Sequence, residues 1–255
     1  MRGIIALSAL LVGVIAAQRA QTIPMPSQVD VVTDNCLEAF PEAVHVPVVD
    51  DDEQIDVDVY LVGDRGVSST HADAVLAAAQ EAYSPLGITL AKAGYRSATL
   101  EGTDSQGIID QTKNLFGGAR PPGSDVVWTL TSVNITAPGF GEAVAGQADC
   151  LGGVRYASSA FLVGEYTGTD GFGLAPIWFY GNLDAKVFAH ENGHLLGAHH
   201  HYQDCVEGML KETGPERAEV SPCTVMTNFV DFMSINFSVL EGAVVRAHAE
   251  EWAAP

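Results

Sequence analysis

Residues 190–200 read HENGHLLGAHH, and this segment restricts the chain more tightly than any other. His190 and His194 are four residues apart, so at about 100° per residue they lie within about 40° of each other on one helical face, where both imidazoles can reach a single ion. Glu191 points about 100° away from His190 and can hold a water beside that ion instead of ligating it. Gly197 permits a left-handed turn that ends the helix, and His200 then returns to supply a third nitrogen. Three protein ligands leave one position of a tetrahedral zinc open, which is the pattern of a catalytic ion. With this chain's own frequencies of His, Glu and Gly, the five residues would coincide by accident with odds on the order of 4 × 10⁻⁵, so chance does not explain them. The run His199, His200, His201 leaves one bland alternative, a solvated tract that picks up metal adventitiously. The register after Gly197 favours His200 as the ligand and directs His199 and His201 elsewhere.

The surroundings of the motif agree with a helix. Leu183, Val187, Phe188, Leu195 and Leu196 supply its apolar side and Asn182 can cap it. Gly193 inside a helix costs ~1 kcal/mol relative to Ala, which implies a packing demand next to the histidines.

Upstream, Ile55, Val57, Val59 and Leu61 alternate with polar or small residues, the period of a half-buried strand that stops at the turn Gly63-Asp64-Arg65-Gly66. Ser69 or Thr70 can cap a helix over 72–84, ended by Pro85 and Gly87; a strand follows over 88–93. A shorter helix is expected over 104–116, ended by Gly117-Gly118, and a buried strand over 125–132. This alternation predicts an α/β sheet with right-handed crossovers. The segment 141–154 is Gly-rich with small apolar residues, consistent with an edge strand approached closely by another backbone, and 166–173 reads as a Gly-rich loop. Residues 238–252 read as a closing helix capped by Ser238.

The N-terminus reads as an address. Met1 and Arg2 precede an uncharged apolar run over 4–17, about 14 residues where a membrane span needs about 20, so 1–17 is expected to be a signal peptide and the mature protein to be secreted and extracellular. The Pro-rich stretch 18–52 is expected to be a short leader or propeptide; its acidic end, Asp50, Asp51, Asp52 and Glu53, could bind calcium but lacks EF-hand spacing, which favours a solvated linker. Export makes Cys36, Cys150, Cys205 and Cys223 candidates for two disulfides, with three connectivities open. Asn134 and Asn236 head sequons that are either glycosylated or unused. The formal charge of −20 argues against nucleic acid or an anionic membrane as partner, since both repel such a surface. A monomer acting on protein or peptide substrates is the expectation.

Beyond the zinc motif, Ser221-Pro222-Cys223-Thr224-Val225-Met226 and the segment GEAVAGQADC over 141–150 complete a resemblance to the metzincin zinc peptidases, and within them to the reprolysin (adamalysin-like) branch. The resemblance covers about residues 54–252. It implies a catalytic domain over 53–255: a twisted, mostly parallel sheet with an antiparallel edge strand, an active-site helix, and a small C-terminal subdomain with a Met-turn and a closing helix. It further implies Met226 as a hydrophobic floor beneath the metal, although Met226 taken alone reads more often as ordinary core. Gly141, Glu142, Ala143, Val144, Ala145 and Gly146 would pair with an extended substrate, and the S1′ wall would come from 227–233, including Phe229, Val230 and Phe232. For the cysteines it implies Cys205 with Cys223 and Cys36 with Cys150, with Cys36 as a latency thiolate the alternative. One extra residue separates Cys223 from Met226 relative to the family's pattern, and Thr227-Asn228 stands where an astacin-type tyrosine ligand would lie.

The expected activity is zinc-dependent hydrolysis of peptide bonds with Glu191 as general base, reprolysin-like in type. The alternatives are a zinc-binding but catalytically silent peptide-binding module, which the intact Glu191 counts against, and an adhesive or structural protein, which the zinc motif disfavours.

Overall fold

The computed structural model describes residues 36, 54–139, 141–167, 183–200, 224–226 and 235–253. β1 (Ile55–Asp64) realises the expected alternation: Val57, Val59 and Leu61 are buried, while Asp56 is exposed. Its last four residues are all buried, so the strand runs through Gly63 to Asp64 instead of stopping at the turn. Asp64 stays in the ladder because its buried carboxylate accepts hydrogen bonds from the Leu100 N–H and the Thr131 hydroxyl. α1 (Ser69–Tyr83) is capped by Ser68, whose hydroxyl accepts from the His71 N–H. That is one residue earlier than Ser69 or Thr70, because Ser69 already has helical geometry and faces Asp73 and Lys92.

β2 (Ile88–Ala98) is longer than its apolar start suggests, since it pairs with β1 along the whole length of that strand. α2 (Ser105–Leu115) is capped by Asp104. β3 (Val126–Thr131) is buried on both faces, as a central strand of a parallel sheet should be. The sheet order is β2-β1-β3-β7-β6, where β6 is Gly146–Ala148 and β7 is Phe161–Glu165. The first three pairings are parallel and β6 runs antiparallel to β7, with Gly146 opposite Gly164.

A mostly parallel sheet with an antiparallel edge strand therefore stands, but the edge strand is shorter than the Gly-rich segment. Within that segment, β5 (Ala143–Val144) leaves the main sheet and pairs with β4 (Ile135–Thr136) in a separate two-stranded ribbon. Strand β7 was not anticipated.

Side-chain alternation splits the core in two. Val57, Val59, Leu61, Trp128, Leu130 and Leu162 face α1, the motif helix α3 (Leu183–Leu195) and the closing helix α4 (Val239–Trp252). Val62, Val127, Phe161 and Val163 face α2 through Ile108 and Ile109. Helices thus cover both faces of the sheet. α3 is buried almost all round, and its Phe188 ring lies 4.3 Å from that of Trp128 on β3. Burying a side chain of that kind stabilises by about 1.5–3 kcal/mol, so the motif helix is a core element and not a surface appendage.

Cys36 is disulfide-bonded to Cys150, with Cα atoms 5.7 Å apart, and its N–H donates to the Leu151 carbonyl. Cys36 is therefore the disulfide partner of Cys150 in this arrangement. The expected Cys205–Cys223 pairing, the signal and leader segments apart from Cys36, the acidic run 50–53, the Asn182 cap, His201 and the S1′ segment lie outside the described residues. Asn134 and Asn236 are both exposed. No helix among the described residues is long and apolar enough to cross a membrane.

Candidate metal centre

α3 brings His190 and His194 to one face, and the chain after it delivers His200. The three Nε2 atoms form a near-equilateral triangle, with His190 to His200 at 2.9 Å, His194 to His200 at 3.0 Å and His190 to His194 at 3.1 Å. Ligands sharing one tetrahedral zinc at 2.0–2.1 Å stand about 3.3 Å apart, so these spacings suit a common ion with a few tenths of an ångström of relaxation. Among the described residues this is the one cluster of His, Cys, Asp or Glu with metal-binding spacing. His199 is exposed and takes no part in it.

The outer ring nitrogens show why a cation belongs there. His190 Nδ1 lies 2.7 Å from the Val225 carbonyl and His194 Nδ1 lies 2.7 Å from the Ala198 carbonyl. A carbonyl only accepts, so each Nδ1 carries a proton, which in the neutral tautomer leaves Nε2 as the inward-facing lone pair. Lone pairs facing each other at 3.1 Å repel unless an electrophile lies between them. Burial, and after it the neighbouring imidazoles of His190 and His200, push the His194 pKa well below the ordinary histidine range, so this ring is neutral and available as a ligand.

The turn that releases His200 is fully specified. The Gly197 N–H donates to the His194 carbonyl and the Ala198 N–H to the Gly193 carbonyl, the paired bonds of a Schellman cap. Gly197 has φ +85°, and a Cβ there would also stand 2.5 Å from the His248 ring on α4. Only glycine meets both conditions.

Met226 is fully buried, and a Cβ on Gly193 would come within 2.6 Å of its sulfur. The helical glycine is thus accounted for: it lets the thioether pack flat against the turn of α3 that carries the histidines.

Glu191, 7% exposed, reaches toward the edge strand. A Cβ on Gly146 would stand 2.8 Å from its Cγ and Oε1 and 2.6 Å from Val187. The carboxylate therefore rests on the backbone of β6. Of the residues expected to meet substrate, Gly146 lies in β6 beside Glu191, and Ala145 joins the same edge by accepting from the Glu165 N–H. Ala143 and Val144 belong to the ribbon, while Gly141 and Glu142 precede it; the Glu142 carbonyl accepts from the Ala137 N–H.

Two buried partners of the motif helix were not anticipated from the sequence. Asn192 and Tyr83 are wholly buried; the Asn192 amide donates to the Tyr83 hydroxyl at 2.9 Å, which donates to the Ala189 carbonyl at 3.0 Å. Burial holds the Tyr83 pKa above its ordinary value, so the hydroxyl remains a donor. The available hint was an Asn between the two motif histidines on a helix otherwise bound for the core.

No family model and no curated protein matches the chain. Among solved structures it is similar to metalloproteinase-II from Bacteroides fragilis, at 14% identity and TM-score 0.48, over 76% of this chain and 53% of that one. It is also similar to archaemetzincin from Methanopyrus kandleri, at 18% identity and TM-score 0.48 over 76% and 96% of the two chains. Archaemetzincin from Archaeoglobus fulgidus gives 18% identity and TM-score 0.46 over 74% and 99%. The chain thus spans about half the length of the Bacteroides protein.

Proposed function

We propose that this chain is a secreted, zinc-dependent endopeptidase of the metzincin type. The observation that carries the proposal is the convergence of three Nε2 atoms within 3.1 Å of one another, on a motif whose buried Glu191 rests on a sheet edge. His190, His194 and His200 would hold the ion. Zinc so held supplies a Lewis acid that acidifies water and polarises a carbonyl.

The chain's own residues do the rest. The Val225 and Ala198 carbonyls fix the tautomers of His190 and His194. Glu191 Oε accepts the proton of the attacking water and returns it to the departing amine nitrogen. The outer edge of β6 carries no further strand among the described residues, which suits antiparallel addition of an extended peptide alongside Glu191. Placement in the reprolysin branch rests on Cys223 ahead of Met226 and on the missing tyrosine after it; secretion rests on the apolar run over 4–17.

The deciding experiment is cleavage of a general protein substrate by purified processed protein, with and without a chelator, beside the Glu191→Gln variant. Chelator-sensitive cleavage that vanishes in Glu191→Gln with zinc retained is expected. Undiminished cleavage by Glu191→Gln would contradict the assignment.

A further inference from the structure

The carbonyl that orients His190 and the methionine that floors the site are consecutive residues, and a carboxylate on the closing helix holds the turn that carries them. Glu241 is 6% exposed and divides its two oxygens between two tasks. Its Oε2 accepts the Ser238 N–H at 2.7 Å, completing the capping box of α4, while its Oε1 accepts the Thr224 hydroxyl at 2.9 Å. The Thr224 oxygen in turn accepts the Met226 N–H at 3.2 Å. Between them, the Val225 N–H donates to the Asn236 carbonyl at 2.8 Å, and the Val225 carbonyl accepts from His190 Nδ1 at 2.7 Å.

A helix cap needs only one carboxylate oxygen, so the second bond, to a buried hydroxyl seventeen residues away in sequence, calls for a separate reason. The Thr224 hydroxyl is the only side-chain link between Glu241 and the Met226 backbone among these bonds, and it fixes the turn from which Val225 reaches the metal ligand.

We propose that Thr224 and Glu241 are positioning residues for the metal: the Glu241 carboxylate, acting through the Thr224 hydroxyl, sets the Val225 carbonyl against His190 and so tightens zinc binding. The proposal rests on the three-histidine reading of the site. A partner that orients a ligating histidine is worth about tenfold to a hundredfold in metal affinity, and the Thr224 link should approach the lower figure because it acts at one remove.

The test is zinc affinity of the full chain, measured by competition with a chromophoric chelator, together with the thermal midpoint of the metal-free protein. Thr224→Val keeps shape and helix cap but loses the hydroxyl; Thr224→Ser keeps the hydroxyl. Ser238→Ala removes the other half of the capping box, since the Ser238 hydroxyl accepts the Glu241 N–H, yet leaves the Glu241 bonds to Thr224 and to the residue-238 N–H. Expected are zinc binding weakened about tenfold in Thr224→Val, parental binding in Thr224→Ser, and parental binding in Ser238→Ala despite a midpoint lowered by about 2–4 °C. Parental affinity in Thr224→Val, or equal weakening in Ser238→Ala, overturns the proposal while leaving the metal site standing. A parent that takes up no zinc overturns both.

Discussion

Gly146 lies directly under Glu191: the first carbon of any side chain at residue 146 would stand 2.8 Å from Glu191 Oε1. Its cross-strand neighbour Gly164 would likewise bring a Cβ to 3.1 Å from Val187, one helical turn before Glu191. Together the two glycines form a bare shelf that sets how closely the motif helix approaches the sheet. The shelf sits beneath Glu191 and Val187.

Gly146→Ala should therefore displace the carboxylate and leave the three imidazoles in place. A misplacement of about 1 Å near reacting groups costs up to about 10²-fold in rate, so a fall of at least about tenfold in kcat with zinc stoichiometry unchanged is expected. Steady-state kinetics beside metal analysis checks this; loss of zinc in the variant would contradict the division of labour.

Gly197→Ala combines two penalties, the left-handed conformation at φ +85° and the collision with His248. The conformational part costs about 1–2 kcal/mol, and the steric part adds to it. Adding His248→Ala should recover the steric part alone, so the double variant is expected to be more stable than Gly197→Ala and less stable than His248→Ala by chemical denaturation. Full recovery would mean that the turn is not strained by an alanine.

Tyr83→Phe removes a hydroxyl that serves Asn192 and Ala189 at once. Both partners are buried, and stranding a buried donor or acceptor costs about 1–3 kcal/mol each. Denaturant unfolding should show a loss of at least about 1 kcal/mol; a change near zero would mean that water replaces the hydroxyl.

Glu165 gives a prediction in pH. Its pKa is raised from 4.5, first by burial and also by the Asp184 charge, against the opposing pull of the Ile135 N–H. As pH rises above 4.5 the unfolded chain loses this proton before the folded one, so the folded state holds more protons and stability falls, with the full penalty present above the elevated folded value. Glu165→Gln keeps an oxygen for the Ile135 N–H and escapes the penalty. It should be more stable than the parent at neutral pH, by an increment that shrinks as pH falls through the elevated value and is gone below 4.5. Thermal midpoints measured across that window test the sign.

The parts of this fold that were readable in advance are those where one strong pattern acts locally. Alternation in β1, the Ser238 cap, and the histidine spacing closed by Gly197 all lie within a turn or a strand of the feature they specify. β7 escaped because FLVGE is too short and too uniformly apolar to show a period. The stretch around residue 146 misled because glycine and alanine specify register weakly, so β5 and β6 were not separable. The Tyr83–Asn192 and Thr224–Glu241 bonds join residues 109 and 17 positions apart, and neither pair advertises itself in composition or spacing.

The central claim is most directly tested by equilibrium dialysis of the metal-free full chain against zinc, with His199→Ala and His200→Ala run in parallel. The account predicts one tightly held ion per chain in the parent and in His199→Ala, and a large loss of affinity in His200→Ala. Parental binding by His200→Ala, or a loss in His199→Ala as great as in His200→Ala, would contradict the three-histidine centre.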